Sequence, residues 1–172
     1  MPEPPQPDFR SEFRSAMANL SAAVNVITTD GPHGRAGMTV SAACSVTDSP
    51  PTVLVCLNRS SRSHGVLVGN GRLCVNVLAG EHEALARHFA GATGVPTEQR
   101  FTDDRWDLGT HGVPVLRGAA AAVIGRIRAR REQGSHTVLF VDVEQVSTHD
   151  DGGALVYFQR RFHSLGTARL TA

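Results

Sequence analysis

Apolar residues along the chain follow two different periods, and these divide it into elements. Phe9, Phe13, Met17 and Leu20 recur at intervals of four, four and three, one face of a helix that Asp8 or Ser11 can cap. A Phe/Met stripe at this spacing reads as core packing. From Val24 the texture becomes β-branched: Val24–Thr29 runs into Asp30-Gly31-Pro32, a turn signal. Met38–Thr47 and Thr52–Leu57 are also strand-like, separated by Pro50-Pro51. Ser63–Val68 reads as a short helix closing at Gly69-Asn70-Gly71, Leu73–Leu78 as a strand, and Glu81–Phe89 as a helix with Leu85, His88 and Phe89 on one side. Residues 91–114, rich in Gly, Thr, Asp and Pro, read as a long irregular connection around Trp106. Two long strands follow, about 117–131 and 136–147, turning at Gly134. Asp150-Asp151-Gly152-Gly153 then turns into Ala154–Phe158, and a short last strand lies around Phe162.

Strands joined mostly by hairpins, with two or three helices inserted, do not alternate βαβα, which argues against a Rossmann sheet. The pattern predicts a mainly β fold with inserted helices, an antiparallel barrel with helical covers. Residues 1–8 hold four of the nine prolines and read as a disordered lead-in, leaving 9–172 as one domain.

Composition narrows the chemistry. All seventeen basic residues counted as Lys+Arg are Arg, so no Schiff-base, P-loop or kinase-type lysine is available. A net charge of +1 gives no overall polyanion-binding character, and a nucleic-acid partner is not expected. Three cysteines, Cys44, Cys56 and Cys74, without a CxxC pair argue against a disulfide framework or zinc ribbon. The N-terminus has neither a basic region nor an apolar run, and no apolar run approaches the roughly 18 residues of a membrane span, so the expected compartment is the cytoplasm. His82 and His88 stand six apart, on different faces of a helix, and no metal site is expected. No G-x-G-x-x-G or G-x-S-x-G motif occurs.

Two stretches carry candidate chemistry. Gly37–Thr47 is dense in small hydroxyl residues, and Thr39, Ser41, Ser45 and Thr47 are spaced to share a strand face. Such a strand is either a solvated face or an edge that offers hydroxyls and backbone amides to a flat heteroaromatic ring. Asn58-Arg59-Ser60-Ser61-Arg62-Ser63-His64 is either a polar loop with a Ser cap or a phosphate cradle, in which guanidinium replaces the missing lysine.

Together these stretches resemble the signature of the short-chain flavin reductases, the FMN-binding split-barrel proteins that serve as reductase components of two-component flavin-dependent monooxygenases. The resemblance continues through Asn76-Val77-Leu78, Phe89-Ala90-Gly91, Gly134-Ser135-His136-Thr137 and Leu155–Phe162, and spans about residues 10–165. It implies a Greek-key split barrel and a homodimer with FAD or FMN in a groove near the subunit interface. Thr39, Val40, Ser41 and Ala42 with Ser45, Val46 and Thr47 would line the isoalloxazine. Asn58, Arg59, Ser60 and Ser63 would hold the ribityl phosphate, Phe89 would flank the flavin tail, and Arg161 and Phe162 would border the end of the groove. His136 would meet the nicotinamide of NADH or NADPH. Ser135 stands where the family often has Asp, Cys44 where it has Thr or Ser, and Ser41 where Asn is common. The implied function is hydride transfer from nicotinamide C4 to flavin N5, with reduced flavin supplied to a partner monooxygenase. The alternatives are a pyridoxamine-phosphate-oxidase-like enzyme using tightly held FMN, and a flavin-binding or structural module without activity.

Overall fold

The computed structural model of the protein describes residues 8–102, 104–149 and 152–166. Apart from Asp8, the Pro-rich lead-in lies outside these ranges, as do Asp150 and Asp151 of the expected turn. Helix α1 (Phe9–Met17) is capped by Asp8, whose carboxylate accepts from the Ser11 amide at 2.8 Å. The strands are β1 (Ala22–Ala23), β2 (Asn25–Thr29), β3 (Ala36–Val40), β4 (Ala43–Asp48) and β5 (Pro51–Asn58), then β6 (Arg72–Val77) after α2 (His64–Asn70). Helix α3 (Glu83–Phe89) follows, then β7 (Trp106–Leu108), β8 (Pro114–Leu116), β9 (Ala121–Gln133), β10 (His136–Thr148), β11 (Ala154–Phe158) and β12 (Arg161–Leu165). The fold is mainly β with inserted helices, and its strand pairs are antiparallel.

Seven strands form one sheet in the order β3-β2-β6-β9-β10-β5-β4. Its outermost strands, β3 and β4, are consecutive in the chain and joined only by Ser41 and Ala42. Two residues span at most about 10 Å with their flanking bonds, so the sheet curls until its edges meet at this link. The Cys56 amide donates to the Ala42 carbonyl at 2.9 Å, extending the β4–β5 ladder into the link. Here the expected single strand Met38–Thr47 breaks into two. A run of small hydroxyl residues with strand periodicity does not reveal where the chain changes partner strands.

The curl makes two apolar layers. Inside lie Ile27, Leu57, Leu73, Leu139 and Val141; outside, Val26, Leu78 and Leu155 pack under Leu85 and Phe89 of α3. Every residue of β2 is therefore buried, although antiparallel strands commonly keep one face in water. A small sheet β1-β11-β12 attaches through Val24, whose amide donates to the Leu155 carbonyl and whose carbonyl accepts from Leu78.

Two expectations change. Residues 91–114 contain a hairpin, β7 with β8, and Trp106 packs edge-on against Phe89 and Phe101 at centroid distances of 5.4 and 5.0 Å. The helix stripe Phe9, Phe13, Met17 and Leu20 is exposed rather than in the core, at 81%, 55%, 46% and 67%. Both layers of the barrel are already filled by strand and α3 side chains. The turn after α1 is tied to the barrel by backbone, the Gln159 amide donating to the Ala18 carbonyl at 2.7 Å.

Asn76, fully buried on β6, joins the β7–β8 hairpin to the barrel. Its amide donates to the Val26 carbonyl at 3.0 Å and the Thr28 hydroxyl at 3.1 Å, and its carbonyl oxygen accepts from the Leu116 amide at 2.8 Å. Asn76→Ala leaves these partners buried and unsatisfied. It is expected to cost about 3 kcal/mol, measured as a lower urea midpoint at unchanged slope.

His82, buried before α3, accepts from the Ala79 amide at Nδ1 at 3.1 Å, so protonation there breaks a bond. Burial pushes its pKa below the usual histidine value, against the weaker opposing pull of Glu81. The unfolded chain then binds this proton more readily than the folded one. The stabilisation is complete above about pH 6.5 and is lost as pH falls through the lowered folded value. Unfolding free energy is expected to decline as pH falls below about 6.5, with a shallower decline in His82→Asn when followed by urea titrations at each pH.

Candidate active site

The link that closes the barrel also borders a groove. Thr39, Val40 and Ser41 at the end of β3 face Arg87 of α3 and Tyr157, Arg160 and Phe162 of the β11–β12 hairpin, around a groove of about 320 Å³. Its walls are mostly apolar or aromatic, and Tyr157 and Phe162 meet at a centroid distance of 5.1 Å. The Thr39 hydroxyl donates to the Ala86 carbonyl at 2.7 Å and holds α3 against the strand. The Arg87 guanidinium lies over the Phe162 ring at 5.0 Å. Arg160 sits at φ 62°, a left-handed position uncommon for a residue with a side chain. It lines the groove, whereas Arg161 is exposed at the start of β12.

Ala42 is exposed on the link, and Ser45, Val46 and Thr47 are exposed on β4. The hydroxyls of Thr39, Ser45 and Thr47 therefore do not share one strand. They belong to the two edges of the sheet, which meet only through the seam.

Ala90 also borders a separate polar slot of about 350 Å³, lined by Ser61, Arg62, Ser63, Phe89, Thr97 and Arg100 among others. Gly37 makes this packing possible, because a Cβ there would fall 2.7 Å from the buried Phe89 ring. Ser63 is buried, and its hydroxyl donates to the Gly37 carbonyl at 2.8 Å and bonds the Thr97 hydroxyl at 2.9 Å. It braces loop against strand. Arg100 is held by the Val95 and Phe89 carbonyls at 2.9 and 3.1 Å. Burial and then the nearby positive charge of Arg62 lower its pKa from the usual guanidinium value. Two guanidiniums that repel one another across a polar slot make a site for an anion.

A third cavity, of about 720 Å³, lies where the 58–64 loop meets the β9–β10 turn. Asn58 forms an Asx turn, its side-chain oxygen accepting from the Ser60 amide at 3.0 Å and hydroxyl at 2.9 Å. The Arg59 amide donates to the Ser135 carbonyl at 2.9 Å, and its guanidinium pairs with Glu132 at 3.1 Å. His136 is exposed at the start of β10, with Nδ1 2.9 Å from the Ser135 hydroxyl. Beside it, His64 Nε2 lies 2.9 Å from the Thr137 hydroxyl. Burial, reinforced by Arg59, lowers the His64 pKa.

The structure thus divides the expected phosphate loop between two cavities. Asn58, Arg59 and Ser60 go with His136; Arg62 and Ser63 go with Phe89. Sequence reasoning missed Arg100 and Thr97, which fall in a stretch that read as irregular. It also missed Arg10 and Arg14, which line the His136 cavity from a helix that read as core packing, and Arg160, whose only local signal is its place in a hairpin turn.

A family model described as flavin reductase like domain matches residues 17–166. The chain is 56% identical over 160 residues to the 4-hydroxyphenylacetate 3-monooxygenase reductase component of Pseudomonas aeruginosa, covering 93% of this chain and 94% of that protein. It is 48% identical over 162 residues to the FMN reductase (NADH) RutF of Stutzerimonas stutzeri, covering 94% and 92%. Among solved structures, the NADH:FAD oxidoreductase SgcE6 of Streptomyces globisporus C-1027, in complex with NAD and FAD fragments, superposes with a TM-score of 0.84 at 28% identity. That superposition covers 98% of this chain and 99% of that one. The family match runs from the end of α1 through β12, so the chain belongs to the flavin reductase-like domain family.

Proposed function

We propose that this protein is an NAD(P)H:flavin oxidoreductase that reduces FAD or FMN and supplies the reduced flavin to a flavin-dependent monooxygenase. The observation that carries the reading is the pair of neighbouring slots that share Ala90. One is apolar and ring-lined; the other is polar and carries the Arg62–Arg100 pair. A flat ring with a phosphate-bearing tail has this distribution of chemistry. The relatives named reductase component and FMN reductase support the same reaction. When bound, flavin supplies the hydride acceptor.

The chain's own residues bind and orient. Thr39, Val40, Ser41 and Ala42 form the wall of the ring slot along the seam, with Ser45, Val46 and Thr47 continuing it on β4 and Phe162 closing the far side. Phe89 flanks the tail. Arg62 and Arg100 meet the tail phosphate, and Ser63 holds the loop in place. His136, beside Asn58, Arg59 and Ser60, hydrogen-bonds the nicotinamide, and Arg161 borders that end. Rate comes from holding two rings at about 3–3.5 Å with their reacting atoms aligned, so no protein nucleophile or metal is required. The domain from residue 9 onward acts as one unit. The cytoplasm, where thiols such as Cys44, Cys56 and Cys74 stay reduced, is its compartment.

The working form in this reading is a homodimer. The apolar stripe of α1, exposed in the single chain, gives a second copy a surface to cover. Phe13→Glu is expected to shift sedimentation from twice the 18.3 kDa chain mass toward the single chain. A parent already sedimenting as one chain removes the dimer from the reading.

Purified protein mixed with FAD or FMN and NADH or NADPH in air is expected to bleach the nicotinamide absorbance band in a flavin-dependent manner. No turnover with any flavin leaves only a binding module, and turnover that demands a further small substrate favours an oxidase. In stopped-flow reduction, His136→Ala is expected to slow use of NAD(P)H while flavin affinity stays close to the parent's. An unchanged reduction rate removes the role given to His136.

A further inference from the structure

We propose that the cavity between α1, the Asn58–Ser60 turn and the Gly134–His136 turn seats the diphosphate of the hydride donor, with Arg10 and Arg14 as its principal ligands. The proposal rests on the reductase reading above and deepens it, assigning to α1 a role that neither packing nor self-association explains.

Three observations converge on it. The first is charge. Arg59 is balanced by Glu132 at 3.1 Å, but neither Arg10 nor Arg14 has an acidic partner among the described residues, although both line the cavity. They stand four apart on one helix face, where like charges repel. Arg14 stands in the last turn of α1, where a cation suits the helix dipole, but Arg10 stands in the first turn, where it does not, and a phosphate bridging the two guanidiniums accounts for both.

The second is separation. The Arg62–Arg100 slot and the Arg10–Arg14 cavity share no lining residue. The reaction brings together two phosphate-bearing molecules, and these are two separate cavities, each lined by at least two arginines, the second also by Glu132. The flavin tail is assigned to the slot that shares Ala90 with the ring groove, which leaves the second cavity for the donor.

The third is continuity. His136, assigned to the nicotinamide, lines the same cavity as the two arginines. Arg14 also lines a hollow of about 500 Å³, which shares Ser41, Tyr157 and Arg160 with the ring groove. Residues of this hollow thus border both the proposed diphosphate site and the ring groove. At about 720 Å³, the cavity falls within the size range of cofactor sites.

The test uses an R10Q/R14Q double variant, which alters only exposed side chains and leaves the apolar stripe of α1 intact. Inorganic pyrophosphate is titrated calorimetrically into the FMN-saturated parent and variant, so that the Arg62–Arg100 slot is occupied, and kcat/KM is measured for NADH and NADPH alongside the affinities for FAD and FMN. At least a tenfold loss of pyrophosphate affinity is expected, with a similar fall in kcat/KM for the donor and flavin affinities within twofold of the parent. Added salt should weaken pyrophosphate binding more in the parent than in the variant. Arg126→Gln, an exposed arginine on β9 away from the cavity, should keep the parent's values.

Equal pyrophosphate affinity and equal donor kinetics in the double variant overturn the proposal and leave the reductase reading standing. Lost FAD or FMN affinity with unchanged donor kinetics also overturns it, because the cavity then belongs to the flavin. A parent that oxidises neither NADH nor NADPH with any flavin overturns the reductase reading itself, and the donor assignment with it.

Discussion

Two residues set the geometry of this protein. Ser41 and Ala42 must connect the first and last strands of a seven-stranded sheet, and a link that short can do so only if the sheet curls on itself. Much else follows from that closure. It buries β2 on both faces, creates separate inner and outer apolar layers, and brings the end of β3 to the surface beside α3 and the β11–β12 hairpin. The ring-lined groove lies at the seam, with Thr39, Val40 and Ser41 in its wall. Small side chains at Gly37, Ser41 and Ala42 suit this region: Gly37 admits the Phe89 ring, and the link stays open to solvent.

The buried polar groups serve the same closure. Asn76 and Thr28 tie the β7–β8 hairpin across β2 and β6, with the Thr28 hydroxyl donating to the Pro114 carbonyl. Ser63 and Thr97 together fasten the 58–64 loop to Gly37 at the site side of β3. Hydroxyls that look like ligand donors in the sequence are thus partly committed to the scaffold. The groups left to meet ligands are chiefly guanidiniums. Arg35, Arg72, Arg87 and Arg117 are matched by acidic partners, whereas Arg62 faces Arg100, and Arg10 and Arg14 form no ion pair among the described residues. A chain with seventeen arginines and no lysine can keep such unmatched pairs, because guanidinium is weakly hydrated and recognises phosphate by a planar fork rather than as a point charge.

Much of the fold was legible along the chain. Alternating β-branched residues, the Asp30-Gly31-Pro32 turn and the turn at Gly134 marked β2, β6 and the β9–β10 hairpin, since these depend on local period and turn chemistry. The 37–47 and 58–64 motifs, together with the segments at 76–78, 89–91, 134–137 and 155–162 in the same order, carried the resemblance to the flavin reductases. The break at Ser41–Ala42, the β7–β8 hairpin and the exposure of the α1 stripe were not legible. A helical stripe looks the same whether it covers the chain's own core or faces outward, and a strand's period does not state which strand lies beside it.

The sequence by itself determined the mainly β composition, the exclusion of lysine chemistry and the two motifs that carry the family likeness. Tertiary structure alone decided how those motifs are used. It split the loop from Asn58 to His64 between two cavities, paired Arg62 with Arg100 across 38 positions and set Arg14 beside His136 across 122. Those meetings come from the curl of the sheet, which brings distant segments together according to strand order rather than by any pattern within the segments.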